Sequence, residues 1–244
     1  MNLKFRTMVL LSGGLDSTVM AYSRECDLFL SFYYGSKHNG QEIKHAKKTA
    51  TRLGVEHRVI DLSDIFQNFN SALIDRKRPI PHGHYEDKTM RETVVPFRNG
   101  ILLAIATGVA ESEGIKNIGI AAHAGDHAVY PDCRSAFLTG FHHAANSGTY
   151  GKVNICFPFL GTTKTDIVLK GEALNIPFED SYSCYEGDEV QCGLCSTCFE
   201  RREAFWLASV VDPTEYKDKT PIRELIEKYR HGFRDIVKRK TDAN

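Results

Sequence analysis

Residues 11–18 combine glycines, hydroxyls and one carboxylate in an order that suits phosphate chemistry. They read Leu-Ser-Gly-Gly-Leu-Asp-Ser-Thr and continue the apolar run of residues 8–11. A buried strand, a glycine-rich turn and a helix beginning near Ser17 would present backbone N–H groups to an anion. Because the Asp16 carboxylate would repel phosphates, we expect a Mg²⁺ ion between Asp16 and the ligand. The pattern therefore predicts a polyphosphate site.

Two commoner nucleotide-binding loops do not fit this spacing. A Walker loop needs a lysine after its second glycine, and a dinucleotide fingerprint needs three spaced glycines. The Ser-Gly-Gly-x-Asp-Ser order instead resembles the PP-loop of ATP pyrophosphatases, which split ATP between its α- and β-phosphates and transfer AMP to a substrate oxygen. A generic glycine turn is the plainer alternative. The resemblance implies that ATP binds the loop residues Leu11, Ser12, Gly13, Gly14, Leu15, Asp16, Ser17 and Thr18. Phe32 and Tyr34, at a strand end beside the loop, would wall the adenine of ATP, and packing in the core is the alternative for these two aromatic residues.

Four of the seven cysteines crowd into residues 184–198 with the spacing C-x7-C-x2-C-x2-C. In a reducing compartment such crowding favours a metal over disulfides. Four thiolates suit a tetrahedral Zn²⁺ ion, and an iron–sulfur cluster is the alternative with the same ligand type. Because ligation chemistry needs no electrons, we expect one structural zinc ion per chain, bound by Cys184, Cys192, Cys195 and Cys198.

The composition restricts the classes of partner. Lysine plus arginine and aspartate plus glutamate both total 31, so the formal net charge is zero. This balance gives no overall attraction to nucleic acid or to an anionic membrane, and we expect neither as a partner. Since the sequence has neither eighteen consecutive apolar residues nor a signal-peptide pattern, we expect a cytoplasmic protein.

The elements that must position these residues alternate between strands and helices. Helices are predicted at residues 41–53, 97–113, 163–174, 199–209 and 222–238, and strands at 8–11, 28–33, 57–61, 117–122 and 154–157. The alternation predicts a Rossmann-like parallel sheet with helices on both faces, an α/β fold. We expect an ATP-binding domain over residues 1–180 and a zinc-binding helical region over residues 181–244 packed on it.

Further motifs make the chain similar to the 7-cyano-7-deazaguanine synthase family over about residues 8–210. Besides the PP-loop and the cysteines, these are Phe-Tyr-Tyr-Gly (32–35), Val-Pro-Phe-Arg-Asn (95–99), Tyr-Pro-Asp-Cys-Arg (130–134) and Thr-Lys-Thr-Asp-Ile (163–167). The resemblance implies that ATP adenylates 7-carboxy-7-deazaguanine and that ammonia displaces AMP. The resulting amide is then activated again and dehydrated to the nitrile. It also implies a homodimer.

The resemblance implies roles for residues outside the PP-loop. Lys164 would hold the leaving pyrophosphate together with Asp16 and Mg²⁺, and a solvated charge at a helix start is the alternative. Arg98 would contact a phosphate or the substrate carboxylate, and a surface ion pair is the alternative. Asp16, Lys164 and Arg98 are the expected catalytic residues. A carboxylate of Asp126 or Asp132 would accept two hydrogen bonds from the deazaguanine edge. The expected substrate-binding residues are Arg98, Asn99, Asp126, Tyr130, Asp132 and Arg134.

Some positions depart from the family's usual pattern. Residues 122–127 read Ala-His-Ala-Gly-Asp-His where Gly-x-x-Glu-Thr-Asp is common, so that His123 and His127 stand in a wall of the expected site. Phe97 and Gly100 also depart. These changes leave open an enzyme that stops at the amide, or one that attaches a deazapurine to a macromolecule.

Two further readings stay open. A tRNA-modifying sulfur transferase or lysidine-type ligase could use the same PP-loop, with the short basic run at residues 238–240 as a contact. Cys133 could act as a covalent nucleophile. We expect a packing role for it instead, because the family chemistry needs no covalent enzyme intermediate.

Overall fold

Five strands form one parallel sheet in the order β3-β2-β1-β4-β5 in the computed structural model, which describes residues 6–85 and 87–229 apart from the side chain of residue 128. The register sets Met8 of the central strand beside Leu28 on one side and Ile118 on the other. The strands are β1 (Thr7–Leu10), β2 (Leu28–Tyr33), β3 (Glu56–Asp61), β4 (Asn117–Gly119) and β5 (Asn154–Cys156).

Helices cover both faces of this sheet. Within the described residues the α-helices are α1 (Leu15–Tyr22), α2 (Asn39–Leu53), α3 (Ser63–Phe66), α4 (Arg98–Ser112), α5 (Ser135–Ser147), α6 (Lys164–Ala173), α7 (Ser196–Ala208) and α8 (Ile222–Lys228). Short 3₁₀ helices lie at Lys88–Thr93, Ala124–Ala128, Pro131–Cys133 and Phe178–Asp180. The predicted fold class is confirmed.

Each face of the sheet has its own core because strand side chains alternate between the two faces. Met8 of β1 packs in one core with Leu103 of α4 and Leu138 of α5. Its neighbour Val9 packs in the other core with Ile167 of α6. The two apolar layers hold the sheet in place, and the predicted site residues lie at the carboxyl ends of its strands.

The region after residue 180 shares the second core. Helix α7 packs against α6, and its Phe205 is buried together with Ile167 and Phe178. A domain boundary at residue 180 stays a prediction. The last predicted helix is confirmed over Ile222–Lys228, whereas residues 230–238 and the basic run 238–240 lie outside the described residues.

Two predictions about elements were wrong. Strand β4 ends at Gly119 instead of residue 122; the Ile120 N–H still donates to the Cys156 carbonyl of β5 at 2.9 Å, and residues 120–122 line a cavity. Helix α5 was not predicted at all, and only Leu138 and Ala145 of its residues are buried.

One described segment, Lys88–Ser112, is long and apolar enough to cross a membrane by length and composition alone. In the fold it is a 3₁₀ helix and α4, separated by the non-helical residues 94–97. Leu103, Ala106 and Ala110 of α4 are fully buried in the core. These contacts are typical of the core helix of a globular domain.

Candidate active site

A cavity of about 250 Å³ lies at the carboxyl ends of β1, β2 and β4. The order of the sheet reverses between β1 and β4, the position where ligands bind in open parallel sheets. Most of the predicted site residues line this cavity, namely Leu11, Ser12, Gly14, Leu15, Asp16, Ser17, Phe32, Tyr34, Arg98, Asn99, Asp126, Tyr130 and Lys164. Gly13, Thr18, Asp132 and Arg134 are not among the lining residues.

The two serines of the PP-loop hold its backbone in shape. Ser12 Oγ lies 3.0 Å from Ser17 Oγ and accepts a hydrogen bond from the Gly14 N–H at 3.1 Å. Helix α1 begins at Leu15, and its N-cap residue, Gly14, supplies no side-chain acceptor. The first N–H groups of α1 are therefore available to an anion in the cavity.

Gly13 is required by a close approach between the PP-loop and α2. Its φ of 88° lies in the left-handed region. A Cβ atom there would come within 2.1 Å of the Glu42 carbonyl oxygen. The contact also fixes the position of the first turn of α2 beside the loop.

Lys164, the first residue of α6, lies between two carboxylates. Its Nζ atom lies 3.1 Å from Asp16 Oδ2 and donates to Glu200 Oε2 at 2.9 Å. Burial disfavours the charged lysine, but Asp16, Glu200 and Asp126 outweigh burial and raise the Lys164 pKa. Burial likewise opposes ionisation of Asp16, but Lys164 and His123 outweigh it and lower the Asp16 pKa. The pair is therefore ionised at neutral pH.

His123 is buried at the centre of this charged cluster. Its Nε2 atom lies 3.8 Å from Asp16 Oδ2, 3.7 Å from Asp126 Oδ1 and 3.8 Å from Glu200 Oε1. The Gly125 N–H donates to Nδ1 at 3.0 Å, so the neutral ring carries its proton on Nε2. A protonated Nε2 cannot ligate a metal, and it turns its positive edge towards the three carboxylates.

Asp126 lines the cavity and also accepts a hydrogen bond from the backbone. Its Oδ2 atom accepts the His123 N–H at 3.0 Å and caps the 3₁₀ helix Ala124–Ala128. Burial, the largest influence, raises the Asp126 pKa against the opposing effects of His123 and Lys164.

Tyrosines and Arg98 form the other side of the cavity. Arg98 Nη1 donates to the Tyr34 hydroxyl at 3.2 Å, and its guanidinium lies 5.7 Å from the centre of that ring. The hydroxyls of Tyr130 and Tyr185 are 2.9 Å apart, and burial raises both pKa values. These rings present flat, partly polar walls to a ligand.

Asp132 and Arg134 make structural contacts. Asp132 Oδ2 accepts the Asn99 N–H at 2.8 Å and so caps the start of α4. Arg134 is exposed, and its Nε donates to the His127 carbonyl oxygen at 3.0 Å. Burial raises the pKa of the Cys133 thiol well above its ordinary value, and Asn99 Nδ2 lies 3.1 Å from its sulfur. A neutral thiol is a weak nucleophile, which agrees with the packing role expected for Cys133.

The four clustered cysteines are buried, and their Sγ atoms all lie within 4.8 Å of one another. A tetrahedral ion with Zn–S bonds of about 2.3 Å separates its sulfurs by roughly 3.8 Å. Cys192 and Cys198 are 3.9 Å apart. Backbone N–H groups of Cys192 and Cys195 donate to sulfurs of the set, which suits thiolate ligands. The group could hold a metal ion.

Three residues of this site were missed by the sequence reasoning. Glu200 follows Cys198 by two positions on α7, Glu42 lies in the first turn of α2, and Tyr185 follows Cys184. Each lines the cavity. Their neighbours in sequence carry no spacing signal for ATP chemistry. Glu42 reaches the site because α2 packs against α1 and β2, and Glu200 reaches it because α7 packs against α6.

A parallel sheet whose first strand runs into a PP-loop, with Asp16 and Lys164 paired at 3.1 Å in the wall of a cavity, defines the class of PP-loop ATP-using enzymes. The sequence profile of the family described as queuosine biosynthesis protein QueC matches residues 6–209. The chain belongs to this family, whose curated members are 7-cyano-7-deazaguanine synthases.

Individual relatives agree with this assignment. A 7-cyano-7-deazaguanine synthase from Porphyromonas gingivalis is 47% identical over 213 residues, which cover 86% of this chain and 97% of the relative. A synthase of the same name from Brucella anthropi is 43% identical over 229 residues, covering 91% and 98%. The solved U34-tRNA thiolase NcsA from Methanococcus maripaludis has a TM-score of 0.47 and 15% identity, covering 88% and 75% of the two chains. Similarity at that level bears on neither fold nor function.

Proposed function

We propose that this chain converts 7-carboxy-7-deazaguanine and ammonia into 7-cyano-7-deazaguanine in two ATP-dependent steps. The observation that carries the proposal is the 47% identity over 86% of the chain to an enzyme of that name. The PP-loop, Lys164 and Arg98 around one cavity support it, because adenylation of a carboxylate needs those groups together.

Activation is needed because a carboxylate cannot expel hydroxide or oxide at neutral pH. Its oxygen attacks the α-phosphorus of ATP, pyrophosphate leaves, and the acid becomes an acyl adenylate. Ammonia then displaces AMP to form the amide. In a second round the amide oxygen is adenylated, and loss of AMP and protons gives the nitrile. Each round moves one substrate oxygen onto AMP, so that two ATP yield two AMP and two pyrophosphates.

The position of each residue around the cavity suggests its role in this reaction. The N–H groups at the start of α1 and the ammonium of Lys164 would hold the negative charge that develops on pyrophosphate. Arg98, on the tyrosine side of the cavity, would orient the carboxylate of the substrate. Asp126 and His123 would hold Asp16 and Lys164 in place. Phe32 and Tyr34 would wall the adenine.

Asp16 fits the expected Mg²⁺ ion. Its Oδ1 atom is buried and has no hydrogen-bond partner among the described residues. A buried carboxylate oxygen in that state is a suitable ligand for a hard cation. Bound there, Mg²⁺ would neutralise part of the polyphosphate charge.

The metal of the cysteine cluster is proposed to be a structural Zn²⁺ ion. Since Cys184, Cys192, Cys195 and Cys198 would fill all four positions, no position remains for water or substrate. Zinc would fix the start of α7 and thereby the position of Glu200.

We further propose that the chain works as a homodimer in the cytoplasm, which size-exclusion chromatography and fractionation would test.

Incubation of the purified chain with ATP, ammonium chloride and 7-carboxy-7-deazaguanine tests the reaction. We expect 7-cyano-7-deazaguanine, AMP and pyrophosphate by mass spectrometry. Accumulation of the amide alone would support an enzyme that stops at that stage. Absence of turnover with all three substrates would reject the proposed function.

A further inference from the structure

Glu42 is a carboxylate that lines the cavity on the side of α2. It lies in the first turn of α2, and only 16% of its side chain is exposed. Within the described part of the chain it forms no ion pair with a lysine or arginine. The nearest ionisable nitrogen that pairs with it is His38 Nε2, 3.6 Å from Oε2, and the Arg98 guanidinium acts on it from further away in the same cavity.

The neighbours of Glu42 leave most of its acceptor capacity free. Asn39 Nδ2 donates to Oε2 at 3.2 Å, and no residue in the described ranges donates to Oε1. Burial lowers the pKa of His38 to about 3, so its ring is neutral and supplies no charge. Burial also raises the pKa of Glu42 to about 7, against the opposing effects of Arg98 and Asn39.

Such an arrangement is unfavourable for the empty protein. A mostly buried carboxylate with unused acceptors costs free energy that a ligand with matching donors would recover. The backbone nevertheless holds Glu42 firmly, because its carbonyl lies against Gly13 in the PP-loop. The side chain is therefore placed at the cavity by the loop that is expected to bind ATP.

The carboxylates that the sequence suggested for the deazaguanine edge have other partners. Asp132 is used by the Asn99 N–H and does not line the cavity. Asp126 accepts the His123 N–H and lies in the cluster around Lys164. Glu42 is left with open acceptors.

We propose that Glu42 accepts the two parallel N–H donors of the deazaguanine edge, the ring N–H and the exocyclic amine. Two carboxylate oxygens match two parallel donors, as in a bidentate arginine pair. The adenine edge offers one donor beside one acceptor, so a carboxylate would repel half of it. The rings of His38 and Tyr185 contact each other, with centres 5.0 Å apart, and would together line one side of the base. This assignment rests on the proposed function for the identity of the base.

Calorimetry on the purified full chain tests the assignment without turnover. The probes are 7-carboxy-7-deazaguanine and 7-carboxy-7-deazahypoxanthine, which lacks only the exocyclic amine. The wild type should bind the amino compound about ten- to hundred-fold more tightly, the range for a lost hydrogen bond to a charged group. Glu42→Gln offers one acceptor and one donor, and it should lose most of that preference while its affinity for ATP stays the same.

Two variants complete the test. Glu189→Gln changes an exposed carboxylate to the same amide, and it should keep the full preference. Glu42→Asp keeps the charge on a shorter side chain, and it should bind the base more weakly with part of the preference retained. If Glu42→Gln does not fold, the binding preference of Glu42→Asp tests the assignment instead.

The outcomes separate this assignment from the proposed function. Equal binding of the two probes by the wild type, or an unchanged preference in Glu42→Gln, would overturn the role of Glu42 even if AMP and the nitrile are formed. A raised KM for ammonium alone in Glu42→Gln would overturn it in favour of an ammonium site. A preference that depends on Glu42 would support it even if turnover were absent.

Discussion

Lys164 of α6 donates to Glu200 of α7 at 2.9 Å, an ion pair that connects the ATP site to the helix of the cysteine cluster. Cys198 lies only two residues before Glu200 on the same helix. A shift of the cysteine loop would therefore move the carboxylate that holds the Lys164 ammonium beside Asp16. A metal ion held by the four cysteines would in this way affect the ATP chemistry without taking part in it.

Glu200→Gln should lower kcat about tenfold or more with little change in the KM for the base. The amide cannot balance the Lys164 charge, so the ammonium is drawn towards Asp16 and away from the leaving pyrophosphate. Steady-state AMP formation measures both constants. Glu189→Gln is the matched exposed control. A lower thermal stability with unchanged kcat would mean that Glu200 is structural only.

Asp132→Ala should weaken binding of ATP and of the base to a similar extent and reduce stability by about 0.5–2 kcal/mol. The substitution removes the acceptor of the Asn99 N–H, and with it the cap of the helix that begins with Arg98. Calorimetry with each ligand and urea unfolding measure these effects. Loss of base binding alone would instead restore the role that the sequence suggested for Asp132.

The purified protein should contain about one zinc ion per chain, and Cys198→Ser should lower both zinc content and thermal stability. Elemental analysis and a thermal scan measure them. Cys156→Ser, a change at a cysteine outside the cluster, is the control. Iron with acid-labile sulfide would replace the zinc assignment by an iron–sulfur cluster.

Glu42→Gln should stabilise the protein more at high pH than at low pH. The Glu42 pKa is raised from 4.5 to about 7, so the native state binds its proton more tightly than the unfolded state. Wild-type stability therefore falls as pH rises from 4.5 to about 7, by about 3 kcal/mol at ~1.4 kcal/mol per pKa unit. Gln removes this loss because an amide does not ionise. It also removes the favourable effects of Arg98 and Asn39 on the ionised carboxyl, which burial already outweighs.

Urea unfolding of both proteins at about pH 5 and about pH 8 measures this difference. The gain from the substitution should be larger at the higher pH. Equal gains at both values would show that the Glu42 carboxyl titrates as it does in the unfolded chain.

Local signals in the sequence predicted the parts of the site that are contiguous. The PP-loop and the four cysteines are short motifs whose spacing reflects one turn and one ion, and the structure gathers each of them as expected. Glu42 and Glu200 gave no such signal. Their positions depend on the packing of α2 and α7 against elements distant in sequence.

Two departures from the family pattern turn out to be one packing unit. Phe97, the residue that precedes α4, has a φ of 52°, and its ring lies over Gly100. A Cβ at residue 100 would come within 2.3 Å of that ring. The sequence shows two separate changes, whereas in the structure the ring at residue 97 occupies the space that a Cβ at residue 100 would take.

The identity of the products tests the central claim most directly. The wild-type chain, given ATP, ammonium and 7-carboxy-7-deazaguanine, should yield the nitrile with two AMP and two pyrophosphates per molecule, measured by mass spectrometry and phosphorus NMR. Asp16→Ala should form neither AMP nor nitrile yet stay folded, because the change removes the expected cation ligand but little core volume. Release of ADP and phosphate, or full activity of Asp16→Ala, would contradict the account.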